Sequence, residues 1–146
     1  MKIDTDKFVM AFDPGVTTGV AWVEGGEFHS EQFTEHELYD WIDEICEQLD
    51  HVRIEQFVIN AGTVKKTIVY DSLYIIGYLR YCAYRCGFGT SFTKPADVMA
   101  TFTDAALKRA NMHKPGAGHA NDAARHLAHY LVKSGAMKGS VFLPKR

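Results

Sequence analysis

The sequence contains few cysteines and no thiol pair at metal-ligand spacing. Its three cysteines, Cys46, Cys82 and Cys86, include no Cys-x-x-Cys motif. This small, odd number predicts reduced thiols in a cytoplasmic protein rather than a disulfide framework or a thiolate zinc site. Cys82 and Cys86 are one helical turn apart in an apolar segment, which indicates core packing rather than metal binding.

The chain also lacks the patterns of membrane insertion and export. Charged residues interrupt every apolar stretch well short of the roughly 20 residues that a membrane-spanning helix needs. The first residues do not show the basic and then apolar pattern of a secretory leader. We therefore expect neither a membrane partner nor export.

Each half of the sequence is poor in charge of one sign. Residues 1–60 hold fourteen acids but only Lys2, Lys7 and Arg53, whereas residues 61–146 hold thirteen lysines or arginines and only four acids. The overall net charge of −2 hides this asymmetry. A basic half points to a polyanionic partner such as nucleic acid. The alternative is that the two halves pair with each other in the fold.

Size and hydrophobic periodicity predict one α/β domain over residues 1–146. The 146 residues are 47% hydrophobic and 23% charged, which is typical of a single globular core. The apolar patterns give three strands in an antiparallel meander, a helix, a strand, a helix, a strand and then further helices. Because a helix separates the later strands from the first three, we expect parallel pairing there. The expected architecture is a mixed five-stranded sheet flanked by helices.

Turn and capping residues set the expected boundaries. Thr34 with Glu37 forms a capping box that opens a helix, and Pro95 after Lys94 marks another helix start. We expect a hairpin over 8–23, strands over 27–33, 51–59 and 90–93, and the longer later helices over 65–86 and 119–134.

Asp13 ends the first apolar run, immediately before Pro14 and Gly15. Proline followed by glycine is typical of a tight turn, in which Gly15 permits a positive φ. A carboxylate at the end of a buried strand is rigidly placed and partly dehydrated, which suits a hard cation. The alternative is that Asp13 only opens an Asx turn.

Glu55 interrupts a second apolar strand. If this strand lies beside the Asp13 strand and parallel to it, both carboxylates emerge at the same sheet edge, where ligands bind in such sheets. The alternatives for Glu55 are an edge-strand charge or an inter-strand partner for Arg53.

His119 and Asp122 are three residues apart in the last predicted helix, so they share a face, and His126 follows four residues later. Small residues around them predict close packing of the helix start. Asp122 in the first turn also interacts favourably with the helix dipole, and His119 could be a cap or a surface residue, so a purely structural role stays open.

Asp13, Glu55, His119 and Asp122 together form a candidate metal centre. Three carboxylates and an imidazole suit two Mg²⁺ or Mn²⁺ ions, whereas too few thiols are placed for zinc. Two such ions activate a water and stabilise the leaving oxygen in phosphodiester cleavage. We expect no organic cofactor.

These motifs, in this order, resemble the RuvC family of Holliday junction resolvases, which has the ribonuclease H-like fold. The matching segments are residues 12–15 with 18–21, then 54–57, then 119–124. The resemblance spans nearly the whole chain, and the sequence is similar to the compact, phage-encoded members. It implies a metal-dependent endonuclease that resolves four-way junctions by paired nicks in a bacterial cytoplasm.

The resemblance also implies roles for individual residues. Asp13, Glu55 and Asp122 match metal-binding carboxylates, and His119 stands where many relatives carry Asp and others His. This departure leaves the site one charge less negative, which could either weaken the affinity for Mg²⁺ or favour Mn²⁺. Lys108 matches a lysine that assists catalysis. The helix after the Glu55 strand matches a two-fold interface, which implies a homodimer.

The basic half and the resemblance together predict a surface for branched DNA. Phe57 lies where the family places groups that enter the junction centre, and either Phe57 or Tyr70 is expected to wedge against unstacked bases. Phosphate contacts would position the DNA without reading its sequence. For each basic residue taken alone, the alternative is a solvated surface group. The expected phosphate contacts are Lys65, Lys66, Lys94, Lys114 and Arg125.

Two other functions stay open on the sequence. A nuclease of the same fold could cut flaps, other branched DNA or RNA/DNA hybrids. A non-catalytic protein could bind branched DNA through the basic half, with an acidic cluster that is structural only. Comparing cleavage of the three substrates separates the nucleases, and the effect of Asp13→Asn on cutting and on binding separates an enzyme from a binder.

Overall fold

The computed structural model describes residues 2–57 and 70–146. Within these ranges the chain forms a mixed sheet with helices on both faces. The strands are β1 (Val9–Asp13), β2 (Thr17–Glu24), β3 (Glu27–Thr34), β4 (His51–Glu55) and β5 (Gly89–Thr93). The helices are α1 (Glu35–Ile45), α2 (Asp71–Cys86), α3 (Pro95–Met99), α4 (Asp104–Arg109) and α5 (Gly118–Lys133), with short 3₁₀ turns at Cys46–Gln48 and Gly139–Phe142.

The sheet order is β3-β2-β1-β4-β5, which confirms the expected mixed topology. The first three strands form an antiparallel meander, and β4 pairs with β1 in parallel, so that Phe12 lies opposite Ile54. β5 pairs in parallel with β4, and Glu55 lies opposite Thr93. The carboxyl ends of β1, β4 and β5 therefore meet at one edge of the sheet, as expected for a ligand-binding edge.

Apolar residues of the central strands enter two separate cores. On one face, Val9 and Ala11 pack under α4 and α5. On the other face, Met10, Phe12 and Ile54 pack under α1 and α2. Because both faces of β1 are covered, its apolar residues run without the alternation of a half-exposed strand.

The turn after β1 differs from the expectation in one respect. The glycines at positive φ are Gly25, Gly26, Gly87, Gly116 and Gly135, so Gly15 does not adopt a left-handed conformation. The turn is closed instead by the buried hydroxyl of Thr18, which lies 3.4 Å from the amide and 3.3 Å from the carbonyl of Gly15.

The region after Glu55 was predicted only in part. The strand expected to reach residue 59 ends at Glu55, where the backbone amide of Gln56 donates to the carbonyl of Thr93 at 2.9 Å. Helix α2 begins at Asp71. The expected phosphate contacts Lys65 and Lys66 lie outside the described residues.

The expectation of three reduced thiols was wrong for two of them. The structure joins Cys46 and Cys86 in a disulfide, with their Cα atoms 6.1 Å apart, while Cys82 is free and buried. Both half-cystines lie at the ends of elements that cover the same sheet face, which brings together residues 40 positions apart. This proximity is tertiary, so the spacing of the cysteines does not indicate it. Within the described ranges, no helix combines the length and the hydropathy needed to cross a membrane.

Candidate active site

The four predicted metal ligands lie at the shared edge of the sheet and at the start of α5. Asp13 is the last residue of β1, and Glu55 is the last residue of the parallel neighbour β4. His119 and Asp122 lie in the first turns of α5, which packs across β1 and β2. Strands β1 and β4 are therefore parallel neighbours, which is the condition under which the sequence predicted Asp13 and Glu55 at one sheet edge.

Asp13, His119 and Asp122 form the tightest part of this cluster, which we call the triad. Each offers one ligand atom, and these atoms all lie within 4.8 Å of one another. The Nδ1 atom of His119 is 3.0 Å from Oδ2 of Asp13. The Asp13 side chain is 14% exposed and that of His119 is 54% exposed, so the cluster opens to solvent on the histidine side. Two carboxylates and an imidazole within this distance fit a hard or borderline divalent cation.

Glu55 lies beside the triad and is held by a histidine that was not predicted as a site residue. The Nε2–H of His126 donates to Oε2 of Glu55 at 3.2 Å. Glu55 and Asp13 also line one small cleft with Phe57. His126 was visible in the sequence only as a residue on the same helical stripe as His119 and Asp122.

The electrostatics of the cluster favour a bound cation. Burial, together with the negative charge of Glu55, raises the pKa of Asp13 to about 7 against the lowering effect of the His119 hydrogen bond. Burial also raises the pKa of Asp122, and Arg125 offsets only part of this. Burial raises the pKa of Glu55 as well, but the hydrogen bond and charge of His126 outweigh it, so the net shift is downward. Opposed shifts among neighbouring carboxyls are typical of functional sites, and a divalent ion would relieve the repulsion between them.

Two amide side chains that the sequence reasoning missed hold the start of α5 in place. Oε1 of Gln32, on β3, accepts from the backbone amides of His119 at 3.0 Å and Ala120 at 3.3 Å. The buried side chain of Asn121 bonds both the amide and the carbonyl of Lys114, at 2.8 and 2.9 Å. The Ala117 side chain cannot cap, so the free amides of the first turn needed remote acceptors. The sequence shows that need but not which residues meet it.

Two predicted DNA contacts, Lys114 and Arg125, bond other residues of the chain. Nζ of Lys114 lies 3.1 Å from the carbonyl of Ser30 and 3.2 Å from Oε2 of Glu31. This ion pair joins the acidic and basic halves, as the alternative reading of the charge pattern anticipated. Arg125 is buried, and the structure does not support it as a phosphate ligand.

The Arg125 guanidinium is instead committed to internal partners. It donates to Oδ1 of Asp122 at 2.6 Å and to the carbonyl of Phe102 at 2.8 Å, and it also pairs with Asp104. Arg125 therefore holds a candidate metal ligand, and its small neighbours had suggested close packing without revealing that contact.

The other predicted contacts remain accessible. Phe57 is half-buried in the cleft beside Asp13 and Glu55. Lys94 is exposed and directly follows Thr93, the residue paired with Glu55, so it lies at the same sheet edge. Lys108 is exposed near the end of α4, and the contacts of the described residues do not connect it to the four ligands.

Comparisons with known proteins bear on the fold. The structure is similar to that of T. thermophilus RuvC in complex with a Holliday junction substrate, with a TM-score of 0.64 and 16% sequence identity, over 88% of this chain and 96% of that one. YeaZ from Pseudomonas aeruginosa is similar over 73% of this chain and 52% of its own, with a TM-score of 0.48 and 13% identity. No family model matches the sequence, and no curated protein matches it. The first likeness, with the strand order above, shows a RuvC-like, ribonuclease H-like fold.

Proposed function

We propose that this protein is a divalent-metal-dependent DNA endonuclease that resolves four-way junctions by paired nicks. The observation that carries the proposal is the convergence of Asp13, His119 and Asp122 within 4.8 Å, beside Glu55, at the ligand-binding edge of a RuvC-like sheet. The solved structure that shares this fold is a complex with a Holliday junction substrate, and we take the substrate class of the proposal from it.

The donor set fits Mg²⁺ or Mn²⁺. Asp13, His119 and Asp122 would hold the first ion, and Glu55 with Asp13 would hold the second of the two that we propose. Such ions supply Lewis-acid polarisation of the phosphodiester and a water of lowered pKa. The imidazole of His119 replaces one hard carboxylate, so we expect Mn²⁺ to support cleavage at lower concentrations than Mg²⁺.

The protein side chains orient the DNA around this centre. Lys94 is exposed at the shared edge, and we assign it a contact with a phosphate near the cut. We assign a second phosphate contact to Lys108, which lies in the last turn of α4. Phe57 lines the cleft that contains Asp13 and is proposed to stack on an unpaired base at the junction centre. These contacts track the backbone and the branch point, which gives structure selectivity rather than sequence readout.

A dimer is part of the proposal because two opposed strands must be cut. Four tyrosine side chains are exposed along α2 and at Tyr70, the residue that precedes it, at 53% for Tyr70, 58% for Tyr74 and Tyr81 and 88% for Tyr84. Their spacing places them on one side of the helix, in a tyrosine stripe with Gly77 between Tyr74 and Tyr81. An exposed row of aromatic side chains is typical of a protein interface. A two-fold pairing of this stripe would give two active sites on opposite sides of a junction.

The test is a cleavage comparison with purified protein. Four-way junction, flap and RNA/DNA hybrid substrates are incubated with Mg²⁺ or Mn²⁺, and product lengths on each strand are measured. We expect symmetric nicks in opposite strands of the junction, abolished by Asp13→Asn, with junction binding retained. Preference for the flap or the hybrid would contradict the junction assignment, and binding without cutting under either metal would contradict the enzymatic one.

A further inference from the structure

His126 makes an unusual contact for a residue in the core of the protein. Its side chain is 1% exposed, and its Nε2 atom bonds Oε2 of Glu55 at 3.2 Å. Its other ring nitrogen, Nδ1, is buried and has no hydrogen-bond partner among the residues that the structure describes. A buried polar atom without a partner lowers stability, because it loses its hydrogen bonds to water and gains none in the protein. A histidine at this position is therefore less stabilising than an apolar side chain of similar shape would be.

The surroundings do not require a polar residue at position 126. The neighbouring α5 residues Ala123, Ala124 and Leu127 are fully buried in an apolar core. An apolar side chain at 126 would continue that surface without burying a partnerless nitrogen. Glu55 does not need the histidine as a replacement for water either, because 23% of the Glu55 side-chain surface is exposed to solvent. The contact is best explained by what it does to the position of Glu55.

A free glutamate at the end of β4 would sample many rotamers. Fixing such a side chain costs conformational entropy, which metal binding would otherwise have to offset. The His126 bond fixes Oε2 beforehand and leaves Oε1 as the oxygen available to a cation. Arg125, the preceding residue on α5, does the same for Asp122 by binding Oδ1 at 2.6 Å. Two consecutive helix residues thus each hold one carboxylate of the cluster.

We propose that His126 is a positioning residue, which holds the Glu55 carboxylate in the orientation that binds the divalent ion. The proposal rests on the metal centre of the proposed function but not on the identity of the DNA substrate. Residues that orient metal ligands typically contribute 10–100-fold to metal affinity. The role of His126 is therefore measurable on the protein alone.

The test is a titration of the metal-free protein of residues 1–146 with Mn²⁺, in which electron paramagnetic resonance measures the concentration of the free ion. We expect His126→Leu to weaken Mn²⁺ binding by about 10–100-fold. His126→Gln should keep binding close to wild type, because its amide nitrogen reaches the position of Nε2 and can donate to Glu55. His126→Asn should resemble His126→Leu, because its amide is too short for that contact.

A matched control is available one turn further along α5. His129 bonds Nη1 of Arg53 at 3.0 Å instead of a carboxylate. His129→Leu should leave Mn²⁺ affinity near that of wild type. Circular dichroism and thermal unfolding of every variant establish that the affinities compare folded proteins.

Three outcomes would overturn the proposal. The first is an unchanged Mn²⁺ affinity in folded His126→Leu or His126→Asn. The second is a loss of Mn²⁺ affinity in His126→Gln as large as that in His126→Leu. The third is failure of both His126→Leu and His126→Asn to fold, which would show that His126 is needed for folding. A wild type that cuts no junction while the affinities keep the expected order would overturn the proposed function and leave the role of His126 standing. A wild type that cuts junctions, together with an unchanged Mn²⁺ affinity in the His126 variants, would overturn the role of His126 and leave the proposed function standing.

Discussion

Gly19 on β2 lies directly against the backbone of His119 at the start of α5. A Cβ atom built on Gly19 would overlap the carbonyl group of His119 and lie 2.7 Å from the amide nitrogen of Ala120. Gly19 also pairs with Asp13 across β1 and β2. One missing side chain therefore sets how closely α5, with His119, approaches the strand that carries Asp13.

Gly19→Ala should damage both stability and metal binding. The overlapping atoms belong to the backbone and cannot move away like the end of a side chain, so α5 must shift as a unit. We expect a loss of about 1–3 kcal/mol in the free energy of unfolding. Weaker Mn²⁺ binding should accompany it, because His119 moves away from Asp13. Chemical denaturation and Mn²⁺ titration measure the two effects.

Gly139 provides the control for this substitution. It begins the 3₁₀ turn Gly139–Phe142, and a Cβ there would meet only Cγ1 of Val132, at an ordinary contact distance of 3.8 Å. Gly139→Ala should therefore change the free energy of unfolding by less than about 1 kcal/mol. Equal effects of the two substitutions would contradict the close-approach argument for Gly19.

The raised pKa of Asp13 predicts how stability depends on pH without metal. With a pKa of about 7, Asp13 keeps its proton in the folded protein over a range where the unfolded chain, at 3.8, has lost it. The folded state then binds more protons, so stability falls as pH rises from about 4 to about 7. Each pKa unit corresponds to about 1.4 kcal/mol. Asp13→Asn should remove this dependence and exceed wild type in stability at pH 8, in thermal unfolding with a chelator.

Added Mn²⁺ should reverse that ranking. An ion that binds the folded state stabilises it according to its affinity and concentration, and binding strengthens as the Asp13 proton is lost. Wild type should gain more from Mn²⁺ at pH 8 than at pH 5, whereas Asp13→Asn should gain little at either pH. If Mn²⁺ does not change the unfolding temperature of wild type at pH 8, the result would contradict a metal centre at Asp13.

The sequence was sufficient for the strand order and for naming the candidate ligands, because these signals are local. The apolar run that ends in Asp13, the carboxylate of Glu55 within the run predicted over 51–59, and the His119–Asp122 spacing can each be recognised without knowing what lies next to them. The contact between His126 and Glu55 could not be predicted in this way, because the two residues are 71 positions apart and only the packing of α5 on the sheet brings them together. The contact between Arg125 and Asp122 is local, since the two residues are three positions apart on one helix. The second partner of Arg125, Asp104, lies 21 positions away and depends on the fold.

The same distinction explains the expectations that needed correction. The charge asymmetry suggested that Arg125 faces DNA, but Arg125 is buried. Lys114 pairs with Glu31, 83 positions away, but its side chain is 44% exposed, so its contact with DNA stays a prediction. Cys46 and Cys86 meet only because α1 and α2 cover the same sheet face. Pairing across the fold depends on topology, which spacing along the chain does not encode.

Gln32 should prove important for α5 although it lies on β3. Its Oε1 atom accepts from the amides of His119 and Ala120, the first turn of the helix. Gln32→Leu removes both acceptors, and we expect a loss of about 1 kcal/mol or more in unfolding free energy. Gln32→Glu keeps the acceptor and adds charge that favours a helix N-terminus, so it should retain stability. Equal losses in the two variants, measured by denaturation, would contradict the capping role.

The tyrosine stripe of α2 should control the oligomeric state. Tyr81 is 58% exposed and lies within the stripe. Tyr81→Asp places a charge in the proposed interface and should shift the protein toward monomer in sedimentation equilibrium. Leu143, 62% exposed outside α2, provides the control, and Leu143→Ser should leave the mass unchanged. A wild type that is monomeric at the concentrations used for cleavage would contradict the two-fold model.

Lys94 should contribute affinity for the junction without contributing sequence preference. It is exposed at the sheet edge that carries Glu55, and its proposed partner is a phosphate. Lys94→Ala should weaken junction binding and lower the slope of log affinity against log salt by about 1. Lys133, at the opposite end of α5 from His119 and about 21 Å along the helix axis, is the matched control. Fluorescence anisotropy over a salt series measures both variants, and equal slopes for Lys94→Ala and Lys133→Ala would show that Lys94 does not contact the DNA backbone.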